Sequence, residues 1–251
     1  MSEKEMHEPE SKVQSPLRQA VLMAAGLGTR LRPITDRHPK PMIEVGGRPI
    51  LEWTLDALPR EIDEVIIVVS YLKEQIVGHF GNEWHGRRIK YVEQKELKGT
   101  GHVVHVAAPL LGQRFMVLNG DDLYLPSDLT KLTCRPLSVL GLRVEDNGRF
   151  GLLAVSDDGC LQSATEDRPQ GSGGIINIGA YVLDRRFLDY DLVPIKNGTE
   201  FGLPHTLAVM AKDHEVRVVV GEAWLPIGYP EDIATATAWL ETHRGAYATA
   251  A

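Results

Sequence analysis

The sequence predicts an α/β protein with a doubly wound, mixed sheet, and two patterns carry that prediction. Short runs of consecutive apolar residues occur at Val21–Ala25, Val65–Val69 and Phe115–Leu118. Such runs are typical of strands that are buried on both faces, as in a parallel sheet. Segments with helical spacing lie between them, and this alternation favours right-handed crossovers within one domain.

Three helices are predicted in the first half from apolar residues that recur every three or four positions. The stripes are Leu51, Leu55 and Leu58, then Leu72, Ile76 and Phe80, then Val103, Val104, Ala107, Ala108 and Leu111. Residues spaced in this way share one helix face, so we assign these side chains to the core and give them no chemical role.

The second half is predicted to contain mainly strands, which extend the sheet. The predicted elements are strands at Ser138–Val144, Gly151–Val155, Leu161–Glu166, Ile175–Leu183 and Val216–Val220, and helices at Pro204–Lys212 and Glu231–Thr242. The sequence has no linker rich in Gly, Pro or Ser, so we predict a single domain over residues 17–245. The polar, mostly acidic residues 1–16 are predicted to form a disordered tail.

Composition limits the partners of this chain. Hydrophobic residues make up 43% of it, charged residues 24%, and the net charge is −7, as in ordinary soluble proteins. The absence of a dense basic stretch argues against nucleic acid or an anionic membrane as the main partner. No apolar run is long enough to span a bilayer. Cys134 and Cys160 lack metal-ligand spacing, which favours a reduced, cytoplasmic setting.

A glycine-rich loop after the first predicted strand carries the strongest functional signal. Gly26-Leu27-Gly28-Thr29 leads into Arg30, and Lys40 follows between two prolines. Glycines let backbone N–H groups approach an anion closely, and fixed cations add charge, so the combination indicates a polyphosphate site. A Rossmann motif would need glycine at Leu31, and the Gly-Lys-Ser/Thr of a Walker A loop is absent. A bare Gly-x-Gly, by contrast, is more often a simple turn.

Together with later segments, this loop resembles the signature of the sugar-1-phosphate nucleotidylyltransferases, the enzymes that make NDP-sugars. The matching segments are Gly26–Pro41, Met42–Ile50, Gln94 with Gly99–Gly101, Asn119–Asp122, Ile176–Gly179 and Trp224–Asp232. The resemblance implies a Rossmann-like sheet of the nucleotide-diphospho-sugar transferase type. It also implies a nucleotide half at about residues 17–135 and a sugar half at about 136–245. Whether the chain forms a homo-oligomer stays open.

The implied reaction is attack of a sugar 1-phosphate on the α-phosphorus of a nucleoside triphosphate, with loss of pyrophosphate. A phosphate monoester is already an anion because its second pKa is about 6, so no general base is required. The protein must supply positioning and positive charge. By resemblance, Arg30 contacts the triphosphate, Lys40 lies between the α-phosphate and the sugar phosphate, and Asp121 binds Mg²⁺.

Further nucleotide-binding residues are assigned by the same resemblance. They are Leu22, Ala24, Ala25, Gly26, Gly28, Thr29, Gln94, Gly99 and Thr100. An amide such as that of Gln94 can pair with both the N3–H and a carbonyl of uracil or thymine, which favours UTP or dTTP. His102 is expected to cap a helix or to face solvent.

On the sugar side, Gly151, Glu166, Asn177 and Gly179 match family positions that hold hexose hydroxyls. Two departures from the family pattern stand beside these matches. The usual Glu-Lys-Pro is replaced by Glu166-Asp167-Arg168-Pro169, so Arg168 becomes the candidate for sugar-phosphate binding, although Arg and Lys are not equivalent. The usual Trp-x-Asp-x-Gly has Pro226 in place of the carboxylate that completes the metal site.

Three hypotheses therefore remain open. The first is an active enzyme that makes a UDP- or dTDP-hexose. The second is a catalytically weak regulatory or binding subunit, which Pro226 favours and which the intact Arg30, Lys40 and Asp121 oppose. The third is a cytidylyl- or guanylyltransferase that acts on another phosphate.

Overall fold

The computed structural model describes residues 15–165, 171 and 173–248. The candidate residues Glu166 and Arg168, and most of the predicted tail, lie outside the described residues. The strands are β1 (Gln19–Met23), β2 (Glu44–Val45), β3 (Arg48–Pro49), β4 (Glu64–Val69), β5 (Glu83–Trp84), β6 (Arg87–Glu93), β7 (Arg114–Asn119), β8 (Asp122–Tyr124), β9 (Ser138–Val144), β10 (Leu152–Val155), β11 (Leu161–Thr165), β12 (Gly174–Asp184), β13 (Pro194–Ile195), β14 (Glu200–Phe201), β15 (Arg217–Gly221) and β16 (Trp224–Pro226). The helices are α1 (Ile50–Ala57), α2 (Lys73–Phe80), α3 (Gly99–Ala107), α4 (Pro126–Thr133), α5 (Leu203–Met210) and α6 (Pro230–Ala248).

One central sheet of ten strands organises the fold, and its middle is parallel. β1 pairs in parallel with both β4 and β7, and β6 continues the parallel part beyond β4. β12 then runs antiparallel to β7 and connects to β9 and β10, while β15 lies parallel to β9. The predicted mixed, doubly wound α/β sheet is therefore confirmed.

Helices cover both faces of this sheet, which explains the run of apolar residues that follows Gln19 in β1. Ala20 and Leu22 belong to the core beneath α1, α2, α4 and α6, whereas Val21 and Met23 belong to the core beneath α3 and α5. Successive strand residues point to opposite faces, so a strand covered on both sides needs continuous apolar sequence. No helix among the described residues has the length and apolar character needed to cross a bilayer.

Several element boundaries differ from the predicted ones. Strand β8 and helix α4 were not predicted, because α4 contributes only Pro126, Leu129 and Leu132 as buried apolar residues, next to the buried carboxylate of Asp128. Helix α6 runs to Ala248, six residues beyond its predicted end and past the predicted domain limit at 245. Tyr247 explains this length, because its ring packs edge-on against Trp53 at 5.2 Å and its hydroxyl donates to the Tyr124 carbonyl at 2.8 Å.

Candidate active site

The glycine loop follows β1 at the carboxyl end of the parallel strands, where α/β sheets bind ligands. Gly28 has a φ of +61°, and a Cβ there would lie 2.9 Å from Cγ2 of Thr35 and 3.1 Å from Cβ of Lys40. The buried Thr35 hydroxyl donates to the Gly28 carbonyl at 2.9 Å. Only glycine permits this packing, which brings the loop against Lys40.

Lys40 forms an ion pair with Asp121, the second residue after β7. The Lys40 Nζ lies 2.7 Å from Oδ2 of Asp121, and the two side chains are 14% and 25% exposed. Burial alone lowers the pKa of Lys40, but the charges of Asp121 and Asp122, with the hydrogen bond to Asp121, raise that pKa overall. Lys40 is therefore held as a cation beside the glycine loop.

Asp122 is a buried carboxylate next to this pair. Its side chain accepts a hydrogen bond from Nδ2 of Asn119 at 2.9 Å and another from the backbone of Ile227. Burial and the charge of Asp121 raise the pKa of Asp122 to about 6, whereas Lys40 and the two hydrogen bonds act in the opposite direction. Asp122 is thus a structural group of the cavity wall.

Pro226 lies opposite Asp122 in the antiparallel pair of β8 and β16. The described residues contain no group of three or more His, Cys, Asp and Glu side chains that could enclose a metal ion. Asp121 is partly exposed at the cavity, whereas Asp122 is committed to protein donors. Because Mg²⁺ takes one or two carboxylates and completes its shell with phosphate and water oxygens, Asp121 alone fits this ion.

Two adjoining cavities meet at this cluster. The first, which we call the loop cavity, has a volume of 490 Å³ and is lined by the glycine loop, Gln94 and Thr100. The second, the sheet cavity, has a volume of 440 Å³ and lies against β12 and β16. Gly28, Thr29, Arg30, Thr100, Asn119 and Asp121 line both cavities. The predicted catalytic residues Arg30 and Asp121 therefore lie where the cavities join, with Lys40 beside them.

Side chains in and just after β1 alternate between the two faces of the sheet, so only some of the predicted nucleotide-binding side chains face the loop cavity. Met23 and Ala25 line the loop cavity, whereas Leu22 and Ala24 are buried in the core on the opposite face. Successive side chains of an extended segment point to opposite sides, so the side chains of Leu22 and Ala24 cannot reach a ligand in this cavity. Met23, which the motif did not single out, takes their place.

Gln94 lies at the loop cavity with its amide nitrogen already engaged. Nε2 donates to the Gly99 carbonyl at 3.3 Å and lies 3.2 Å from Nδ1 of His102. Among the described residues, no donor reaches Oε1, so the amide offers an acceptor and not the two-point pairing that the sequence suggested. His102 is therefore a partner of Gln94 instead of a helix cap or a purely solvent-facing residue.

The hairpin of β13 and β14 closes the loop cavity from the other half of the domain. Gly99 has a φ of +84°, and a Cβ there would lie 2.6 Å from the Phe201 carbonyl oxygen. This close approach places Lys196 and Glu200, an ion pair at 2.9 Å, on the wall of the loop cavity. Neither residue was predicted to belong to the site, because no local sequence pattern reveals this contact between distant segments.

The predicted sugar-side residues Asn177 and Gly179 line the sheet cavity at a register shift in β12. Gly179 has a φ of +75°, and a Cβ there would lie 2.2 Å from Nδ2 of Asn119. Oδ1 of Asn177 accepts from the Gly179 backbone at 3.2 Å and from the Tyr181 hydroxyl at 3.1 Å. Gly151 contributes a carbonyl that accepts from the Asn177 backbone at 2.9 Å.

Aromatic residues complete the sheet cavity. Phe150 and Trp224 lie on its wall and pack edge to face with ring centroids 5.0 Å apart. The indole N–H of Trp224 is buried and has no hydrogen-bond acceptor among the described residues. Arg149 also lines this cavity and was not predicted as a site residue.

Comparison with known proteins assigns the family. The protein-family model described as "Nucleotidyl transferase" matches residues 19–243. The chain belongs to this family.

Three curated relatives show the range of proteins to which this chain is similar. The chain is 30% identical to the "Bifunctional protein GlmU" of Methanocaldococcus jannaschii over 88% of its own length, but it spans only about half, 54%, of that relative. It is 30% identical to the "UTP--glucose-1-phosphate uridylyltransferase AglF" of Haloferax volcanii, covering 85% of this chain and 93% of the relative. It is 33% identical to the "D-glycero-alpha-D-manno-heptose 1-phosphate guanylyltransferase" of Campylobacter jejuni, covering 85% and 96%.

Among solved structures, HddC from Yersinia pseudotuberculosis is similar, with 26% identity and a TM-score of 0.69 over 89% of this chain and 100% of that one. The printed names of these relatives include both a uridylyl- and a guanylyltransferase. Family membership therefore leaves the nucleotide open.

Ionisation of the buried Asp122 should destabilise the metal-free protein. The pKa of Asp122 in the folded protein, about 6, exceeds the ordinary 3.8. The protonated side chain therefore contributes fully to stability below about pH 4, and this contribution is lost as the pH rises through 6. We expect Asp122→Asn to raise the free energy of unfolding at pH 8, by at most about 3 kcal/mol at about 1.4 kcal/mol per pKa unit, and less toward pH 4. Denaturant unfolding in a chelator measures this difference, with the exposed Asp157→Asn as control. If Asp122→Asn changes the free energy of unfolding by the same amount at every pH, this prediction is wrong.

Proposed function

We propose that this protein transfers a nucleotidyl group from a nucleoside triphosphate to a hexose 1-phosphate, with release of pyrophosphate. The observation that carries the proposal is the convergence of Arg30, Lys40 and Asp121 where two cavities join. The loop cavity would hold the triphosphate, because it is lined by the glycine loop. The sheet cavity would hold the sugar phosphate, and its attack on the α-phosphorus would occur at the junction.

The proposed chemistry relies on charge and position. Arg30 would bind the triphosphate oxygens as the pyrophosphate gains charge, and Lys40 would bridge the α-phosphate and the attacking phosphate. Donors that are already positioned lower the barrier because they need no reorganisation during the reaction. Asp121 would hold Mg²⁺, which when bound neutralises phosphate charge. We also propose a cytoplasmic location, in keeping with the two free cysteines.

For the base, we propose uracil or thymine. The available Oε1 of Gln94 matches the N3–H of these bases, and cytosine and adenine lack a ring N–H at the pairing edge. Guanine is the second candidate, because the carboxylate of Glu200 on the same cavity wall adds another acceptor. Guanine offers both a ring N–H and an amino group, and two acceptors would suit it.

The sheet cavity supports a sugar as the second substrate. Asn177 adds a polar side chain to its wall, and the rings of Phe150 and Trp224 give an aromatic surface on which the apolar face of a sugar ring would pack. Pyrophosphate release with UTP, dTTP, CTP and GTP against a panel of hexose 1-phosphates and other phosphate monoesters tests the proposal. Nucleotide binding without turnover for any pair would support the regulatory-subunit alternative.

Arg30→Ala and Lys40→Ala should each lower kcat by a factor of about 10²–10³, the usual cost of losing one positioned donor. Arg30→Ala should unfold near the wild-type temperature, since Arg30 is exposed. Lys40→Ala should unfold at a lower temperature, because it leaves Asp121 without its ion-pair partner, so its rate is measured below that temperature. Initial rates at saturating substrate measure the effect, and Arg37→Ala provides an exposed arginine as control. A variant that turns over near the wild-type rate would remove its residue from the proposed mechanism.

Gln94→Ala should change nucleotide choice more than maximal rate, because a base-reading group acts mainly on specificity. The measurement is kcat/KM for the four triphosphates in wild type and variant. Gln113→Ala replaces an exposed glutamine outside both cavities and serves as control. If the order and ratios of kcat/KM stay the same, Gln94 does not read the base.

Asp121→Asn should abolish Mg²⁺-dependent activity, since no second carboxylate is present at Pro226. Pro226→Asp should lower the Mg²⁺ concentration for half-maximal rate, and Pro226→Asn controls for loss of the proline ring. A Mg²⁺ titration of initial rate compares these proteins. Full activity of Asp121→Asn would exclude the metal assignment. Activity gained only in Pro226→Asp would favour the regulatory-subunit alternative.

A further inference from the structure

Two arginines lie over the same aromatic ring at the sheet cavity. Cζ of Arg149 is 4.4 Å from the centroid of the Tyr229 ring, and Cζ of Arg30 is 5.5 Å from it. A guanidinium over an aromatic face is attracted by the negative potential of that face. Arg30 follows the glycine loop, whereas Arg149 lies between β9 and β10. Tyr229 therefore holds one cation from each half of the domain.

Gly228 leaves room for Arg149, and Asp232 fixes the backbone segment against which Arg149 lies. A Cβ on Gly228 would lie 2.8 Å from Nη2 of Arg149, so a larger residue would displace the guanidinium. Oδ2 of Asp232 accepts from the backbone of Gly228 at 2.7 Å and of Tyr229 at 2.8 Å, and lies 3.9 Å from Nη2 of Arg149. Because this ion pair is long and the carboxylate already has two donors, the N–H groups of Arg149 stay available.

The charges of the cavity wall are consistent with an anionic ligand at this point. Lys40 is neutralised by Asp121 at 2.7 Å. Arg30 has no carboxylate within 4.0 Å in the part of the chain that the structure describes, and Arg149 has only the long contact to Asp232. Both arginines line the sheet cavity, as does Pro226. Gly228 and Tyr229, which contact Arg149, follow Pro226 by two and three residues in the sequence.

We propose that Arg149 binds the phosphate group of the sugar phosphate, and that Tyr229 is a positioning residue for Arg149 and Arg30. The inference rests on the proposed function and adds a residue that the motif did not contain. A guanidinium presents several N–H groups in one plane, which matches two oxygens of a phosphate. Arginine in this position supplies positive charge beside the segment in which Pro226 has removed a metal-binding carboxylate.

Arg149→Ala in the full-length protein should raise KM for the sugar 1-phosphate about tenfold or more, while KM for the triphosphate changes less than about threefold. Arg149→Lys should give an intermediate rise, because it keeps the charge and loses the planar fork. Arg143→Ala replaces an exposed arginine of β9 that lines neither cavity and serves as control. Equal rises in both KM values, or no rise for the sugar phosphate, would overturn the proposal.

The positioning role of Tyr229 has a separate readout. Tyr229→Thr should raise KM for the sugar phosphate and lower kcat, and Tyr229→Phe should have a smaller effect because it keeps the ring. The double variant Arg149→Ala/Tyr229→Thr should show no higher KM for the sugar phosphate than Arg149→Ala alone, since Tyr229 acts on that substrate through Arg149. A further fall in kcat in the double variant would report the contact of Tyr229 with Arg30. Additive increases in KM would show that Tyr229 does not act through Arg149.

Calorimetric titration with inorganic phosphate separates this proposal from the proposed function. If the wild type turns over and the Arg149 variants behave like the control, only the present proposal fails. If the wild type shows no turnover with any substrate pair, the proposed function fails. The affinity for inorganic phosphate then decides whether Arg149 binds a phosphate group. About tenfold weaker phosphate binding by Arg149→Ala would support the assignment, and unchanged binding would overturn it.

Discussion

The ion pair between Lys40 and Asp121 is the contact on which the site depends. Pairing of β1 with β7 places Met23 opposite Asn119, so the segments that follow these two strands leave the sheet side by side. One segment carries the glycine loop, and the other carries Asp121. Lys40 reaches across to Asp121 at 2.7 Å, which joins the first motif of the chain to the end of a strand about eighty residues later.

Several smaller contacts fix the positions of the segments that carry this ion pair. Thr35 ties the turn after the loop to Gly28, whose missing side chain leaves room for Lys40. On the other side, Gly179 leaves room for the Asn119 amide, which in turn holds Asp122. The glycines therefore mark places where two segments approach each other closely, and the charged groups lie between those places.

Features that depend on local pattern could be predicted from the sequence. Continuous apolar runs predicted the buried strands of the sheet, and the glycine loop with Arg30 and Lys40 predicted one shared site. Features that depend on distant contacts could not. Arg149 lies at its cavity in contact with the Tyr229 ring and the distant Gly228, and Glu200 reaches its cavity through the packing of the β13–β14 hairpin on Gly99.

The buried Asp122 gives Lys40 a second negatively charged neighbour besides Asp121. In the absence of substrate, Asp121 and Asp122 together raise the pKa of Lys40. Asp121 is partly exposed at the cavity, whereas the buried Asp122 is held by Asn119 and Ile227. The charge of Asp122 therefore acts on Lys40 from the protein side, next to the more exposed Asp121. Pro226, opposite Asp122, adds no further negative charge to this wall, which leaves Asp122 as the one fixed counter-charge in the β8–β16 pair.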